Sequence, residues 1–160
     1  MAERGFSTRF DGPLDMRMDQ RKSRTAAMVL STCSEEELAD LFYKYGEIPN
    51  ARKLAAAIVR ARKDAPIVQT TDLRRVSSSF VPKNLENRYL AQLFQALRIE
   101  VNQEMEVLEE MLRQSVDLLR PGGRLVIISY HSLEDRMVKQ FMRSGNVEDK
   151  VEKDMFGNAH

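Results

Sequence analysis

Leu125-Val126-Ile127-Ile128 is the one stretch of this chain that reads as a convincing β-strand, and a strand of that kind cannot stand alone. The run is apolar, without alternation and mostly β-branched, as expected of a strand covered on both faces in a parallel sheet. Pro121-Gly122-Gly123 ahead of it breaks a helical pattern. Behind it Ser132, with Asp135 three positions on, marks a helix start in which Ser132 is the expected N-cap. Helix, turn, buried strand, helix is the late part of an α/β layered fold. The strand needs neighbours, and Ile67-Val68 is too short to be one. The expectation is a mainly α chain carrying a partial α/β remnant whose early strands are absent.

The rest of the pattern is helical. Residues 4–24 are irregular, with a turn at Asp11-Gly12-Pro13. Ser34 and Glu37 form a capping box ahead of Leu38, Leu41, Phe42 and Tyr45, and Gly46 is expected to end that helix in the C-terminal glycine position. A second helix starts near Asn50, carries Leu54, Ile58 and Ala61 on one side and stops before Pro66. Thr71 is expected to cap a short third helix bearing Leu73 and Val76. From about Leu85 the apolar positions Leu90, Leu93, Phe94, Leu97 and Val101 run on to Met105, Leu108, Leu112 and Leu119. Asn102 can cap a restart there, so one long helix and two shorter ones both fit. Met105, Met111, Met137 and Met142 read as core filler, and residues 146–160 as a polar tail.

Composition narrows the function classes. The chain has 160 residues, 42% hydrophobic and 31% charged, so it is neither disordered by composition nor rich in membrane spans. The first residues, Met1-Ala2-Glu3-Arg4-Gly5, do not read as a signal peptide. A single cysteine, Cys33, excludes a disulfide framework and a cysteine-built zinc site and suits a reducing, cytoplasmic location. No other metal site is expected.

The net charge of +1 conceals segregation. Between Pro49 and Arg88 nine basic residues, among them Arg52, Lys53, Arg60, Arg62 and Lys63, face three acids. From Glu100 to Asp117 six acids face Arg113 alone. The basic segment is either a solvated helix surface or a face that supplies salt-sensitive affinity for a nucleic-acid backbone. A free-standing helical RNA-binding module without catalysis is thus one functional reading.

Three stretches carry a more specific one. They are Arg4-Gly5-Phe6-Ser7 continuing through Asp11-Gly12-Pro13-Leu14-Asp15-Met16-Arg17-Met18-Asp19, then Phe94-Gln95-Ala96-Leu97-Arg98-Ile99 with Val101, Asn102 and Glu104, and finally Pro121 through Arg136 with His131-Ser132-Leu133-Glu134-Asp135-Arg136. Together, in this order, they resemble the bacterial ribosomal small-subunit RNA methyltransferase H (MraW) family from Glu3 to about Arg143. The resemblance implies methyl transfer from S-adenosylmethionine to N4 of a cytidine in 16S ribosomal RNA. It also implies a class I, Rossmann-like methyltransferase domain interrupted by a helical insert. Residues 1–22 and 91–145 would then belong to the methyltransferase domain, 23–90 to the insert and 146–160 to a tail.

The family's cofactor loop, ribose acid and strand-end motif would all lie upstream of Met1. The chain is therefore expected to be a fragment that binds no S-adenosylmethionine by itself and is inactive alone. No catalytic residue is assigned. Candidate contacts to the target nucleotide are Asp11, Asp15, Arg17, Arg98, Asn102 and His131. Candidate contacts to the RNA backbone are Arg52, Lys53, Arg60, Arg62, Lys63 and Arg136. Several have a plainer alternative. The aspartates of the turn can hold it by side-chain hydrogen bonds, Arg98 and Asn102 can form an internal network, and His131 can cap the next helix. Small-subunit ribosomal RNA is the expected partner, no membrane is, and a homodimer is compatible with an exposed half-sheet edge.

Overall fold

A computed structural model describes residues 4–8, 10–81 and 83–147. Among the described residues it contains seven α-helices and no strand. The chain divides into two compact units, one up to Gln103 and one from Glu104.

In the first unit, α1 (Ala26–Thr32) is capped by the Thr25 hydroxyl, which accepts from the Met28 N–H. Helix α2 (Glu35–Gly46) has the complete Ser34/Glu37 capping box. Its other end departs from expectation. Gly46 is the last helical residue, and Glu47 adopts the left-handed conformation at φ 50°. The N–H groups of Glu47 and Ile48 then return to the carbonyls of Tyr43 and Phe42, with Ile48 fully buried behind them. Gly46 serves a different purpose: a Cβ there would lie 3.1 Å from the Gln92 carbonyl oxygen of α5 and from the Ile48 side chain. The glycine permits close helix approach.

Helix α3 (Ala51–Asp64) follows Asn50, whose amide oxygen accepts from the Tyr89 hydroxyl at 2.9 Å and makes no cap bond. Helix α4 (Thr70–Ser77) begins two residues earlier than the Thr71 cap implied. Gln69 and Asp72 form its capping box, because Thr70 is buried and bonded elsewhere. After short 3-10 turns, α5 (Glu86–Asn102) packs against α2. Phe42, Leu38, Leu54, Ile58, Leu93 and Leu97 are fully buried in this unit. The described residues 5–8 and 10–24 lie over it without a helix or strand, and an isolated bridge pairs Pro13 with Gln69 just before α4.

Two helices, not one, cover residues 86–118. Gln103 takes the left-handed conformation at φ 54° and ends α5, and α6 (Glu104–Leu118) starts at the next residue. In the second unit α6 packs on α7 (Ser132–Ser144), yet only Leu112 and Phe141 are buried there among the described residues. Met111 and Met142 are exposed, so the methionine face is not a core here.

The expected strand is corrected as well. Residues 123–129 have no regular secondary structure, and Val126 and Ile128 are 83% and 78% exposed. A strand is stabilised by hydrogen bonds to its neighbours, and no described residue supplies them. The architecture observed is therefore mainly α. The tail expected over 146–160 falls mostly outside the described residues.

Phe42→Ala should destabilise the first unit by about 3–5 kcal/mol. Tyr43→Ala, at a 70% exposed neighbour on the same helix, should change stability by less than about 0.5 kcal/mol. Urea unfolding followed by circular dichroism measures both.

Candidate functional site

The turn Asp11 to Asp19 is held from within. Asp11 Oδ1 accepts from the Gly12 N–H, the Thr70 hydroxyl (2.9 Å) and the Thr71 N–H, which fastens the turn to the start of α4. The Thr70 hydrogen bond is the main reason its carboxyl lies below the usual carboxylate range. Asp15 and Arg17 form a two-pronged pair, Nε to Oδ1 at 2.6 Å and Nη2 to Oδ2 at 2.9 Å. Arg17 Nη1 also donates to the carbonyls of Gln20 and Lys22. The hydrogen bond from Arg17 depresses the Asp15 pKa, and Arg21 does the same for Asp19. Met16, almost fully buried with φ 58°, donates its N–H to the Arg4 carbonyl.

Asn102 fastens the other side of the turn. Its amide donates to the carbonyls of Met16 (2.8 Å) and Arg98 and accepts from the Met18 N–H at 2.7 Å. Four of the candidate nucleotide contacts, Asp11, Asp15, Arg17 and Asn102, are thus engaged in holding the turn.

Arg98 is placed differently. It lines a concavity of about 390 Å³ together with Phe6, Ser7, Thr8, Phe94 and Gln95. The Arg-Gly-Phe-Ser segment and the Phe-Gln-Ala-Leu-Arg segment of α5 therefore meet at one place. Gly5 makes the first of them possible: it has φ +76°, and a Cβ there would lie 2.5 Å from the Pro13 carbonyl oxygen. Two aromatic rings beside hydroxyl, amide and guanidinium donors suit a planar, polar-edged ligand such as a nucleobase. The lining fits S-adenosylmethionine poorly, since no carboxylate stands ready for the ribose hydroxyls and no glycine-rich turn opens onto it.

Arg52, Lys53, Arg60 and Lys63 are exposed on α3. At about 100° per residue they share one face of roughly a quarter-turn. Arg62 is not part of that face. Its Nη1 donates to the carbonyls of Leu30 and Cys33 at 2.7 and 2.6 Å, closing the C-terminal end of α1. An arginine in a basic run looks alike in either role, so only the tertiary contact separates them. Arg136 is exposed on α7, where it borders a shallow concavity with Lys139 and Arg143.

His131, not Ser132, is the N-cap of α7. Its Nδ1 accepts from the Glu134 N–H at 3.4 Å, and Ser132 is the first helical residue. The ring's other nitrogen, Nε2, is buried without a hydrogen-bond partner, and Glu134 Oε1 lies 3.2 Å from it. Glu104, His131 and Glu134 bring their ligand atoms within 4.8 Å of one another. No metal ligands are expected from the sequence pattern. His131 and Glu134, three apart at a helix start, were a readable signal, whereas Glu104 is 27 positions upstream of His131 and is joined to them by folding alone.

With this geometry in view, comparison with known proteins is informative. The profile of the MraW methylase family matches residues 1–156. The chain belongs to the MraW methylase family. Among curated relatives, it is 57% identical over 158 residues to the ribosomal RNA small subunit methyltransferase H of Phocaeicola vulgatus, covering 99% of this chain and 52% of that protein. The proteins of the same name from Bacteroides thetaiotaomicron and Flavobacterium johnsoniae are 56% and 51% identical, each over 98% of this chain and 52% of their own length. The chain thus spans about half the length of the curated relatives it matches. Among the described residues no helix is long and apolar enough to cross a membrane.

The family turn carries an acid-sensitive signature. Asp11, Asp15, Asp19 and Glu37 all have folded-state pKa values below their ordinary ones, Glu37 through the Ser34 N–H and hydroxyl. Their contribution to stability is fully present above the ordinary carboxylate range and is lost as pH falls through the lowered values, below about pH 4. Thermal unfolding midpoints should hold from neutral pH down to about that value and then drop. Asp15→Asn should shrink the drop; an unchanged profile would show that the pair is not what acid breaks.

Proposed function

We propose that this chain is part of a ribosomal RNA small-subunit methyltransferase that uses S-adenosylmethionine and acts on N4 of a cytidine in 16S ribosomal RNA, in the cytoplasm. The observation that carries this reading is the family match along almost the whole chain. In the proposal, residues 23–90 form the helical insert, while 1–22 and 91–145 belong to the methyltransferase domain. The cofactor cradle is supplied by the part of the family's length that this chain does not span, so the chain alone is inactive. The exposed Val126, Ile128 and Tyr130 support this: they form an apolar edge that a sheet would cover, turning Leu125–Ile128 into a strand.

Within the retained part, the concavity at Phe6, Phe94 and Arg98 receives the target base, by stacking on the rings and by hydrogen bonds to its polar edge. The exposed cations of α3 and Arg136 meet the RNA backbone. With labelled S-adenosylmethionine and small-subunit RNA, the chain alone should transfer no label. Fused to the remaining half of the Phocaeicola vulgatus relative, it should transfer methyl to cytidine, and Arg98→Ala in that fusion should lower kcat/KM at least about tenfold. Robust transfer by the chain alone would overturn the fragment reading.

A second reading, an RNA-binding module without catalysis, is favoured by the shared face of Arg52, Lys53, Arg60 and Lys63. It predicts RNA affinity of the chain alone that falls steeply with salt and is lost when Arg60 and Lys63 are both changed to Glu. Arg62 must stay in place in that experiment, because removing it uncaps α1 and would mimic lost binding by unfolding. Affinity unchanged in the double variant would rule this reading out.

A further inference from the structure

The structure assigns a divalent transition-metal site to Glu104, His131 and Glu134 in the second unit. The methyl-transfer reading makes no use of such a site, and the inference does not depend on it. Glu104 is the first residue of α6, His131 the N-cap of α7 and Glu134 a residue of its first turn. Their ligand atoms lie within 4.8 Å of one another, so small rotations of the carboxylates bring all three onto a single ion.

The decisive group is the imidazole. Its side chain is 9% exposed, and Nε2 is buried with no hydrogen-bond partner. A buried polar atom in that state costs free energy unless something occupies the space in front of it. What stands in front is carboxylate oxygen, Glu134 Oε1 at 3.2 Å, without the geometry of a hydrogen bond. That separation is close to the spacing between two ligands of one tetrahedral ion, about 3.3 Å for bonds near 2.0 Å.

Glu134 is also held in the orientation a ligand requires. Its Oε2 accepts from the Tyr130 N–H at 2.9 Å, which turns Oε1 toward His131. One imidazole and two carboxylates balance a dication and leave a coordination position for water, a donor set suited to zinc. Binding requires the lone pair of Nε2, so the ring hydrogen moves to Nδ1. The cap to the Glu134 N–H, long at 3.4 Å, is given up in exchange for the metal bond. Loaded, the ion clasps the start of α6 to the start of α7.

Zinc titrated into the full chain in a calorimeter should bind at one equivalent. Cobalt(II) in its place should give the visible absorption of a tetrahedral site with a nitrogen ligand. His131→Gln and Glu104→Gln should each weaken zinc binding at least about tenfold while far-ultraviolet circular dichroism stays unchanged. Asp135→Asn, which removes an acid of α7 paired with Lys139 at 2.8 Å, should leave zinc affinity as it was. The assignment is overturned if no one-equivalent binding is seen, or if zinc binds His131→Gln and Glu104→Gln as tightly as the parent chain. It is equally overturned if affinity follows Asp135.

Discussion

Helix α5 buries Leu93 and Leu97 completely against the first unit, and the placement of nearly every candidate residue there depends on that burial. Packing of α5 on α2 is close at Gly46, where a Cβ would come within 3.1 Å of the Gln92 carbonyl oxygen. Once the helix is seated, its last turn presents Asn102 to the turn at Met16–Met18, and the buried Phe94 and the half-buried Arg98 border the Arg-Gly-Phe-Ser segment. Apolar burial thus sets the position, and two hydrogen bonds made by one amide side chain set the register of the loop.

The loop that results is a rigid object. Asp11 ties it to α4, Asp15 and Arg17 tie it to itself, and Asn102 ties it to α5. A carboxylate already accepting three hydrogen bonds, or a guanidinium already donating to a carboxylate and two carbonyls, has little capacity left for a ligand. Recognition falls to the surface that the loop shapes, the concavity beside it. This division between groups that build the site and groups that face into it is consistent with the MraW family membership.

The second unit is organised by what it lacks. With Leu112 and Phe141 as its buried apolar side chains among the described residues, α6 and α7 leave Val107, Leu118, Val126 and Ile128 exposed. Residues 123–129 stay irregular because a strand's amides and carbonyls need partners on a neighbouring strand. The polar groups at the helix starts are better satisfied. His131 caps α7, and Tyr130 and Glu134 close the turn, so the local order there survives without a sheet.

Local chemistry alone was enough to read several features. The Ser34/Glu37 capping box and the stop of α3 before Pro66 are decided by residues within a few positions of one another. The choice between one helix and two near Asn102 stayed open in the sequence, and the Asn102 side chain bonds to Met16 and Met18 instead of capping a restart. The family was legible too, because its three stretches are specific in order and composition. Other features were decided by contacts across long sequence separations. Glu47 rather than Gly46 took the left-handed position, while Gly46 lies in the last turn of α2 tight against α5. Arg62 left the basic face because two carbonyls 32 and 29 residues away lay within reach. Apolar pattern and capping residues determine which segments become helices, since those interactions are short-range. Which side chains remain available to a ligand was settled only by tertiary structure, since a hydrogen-bonding group is free or engaged according to what folding brings beside it.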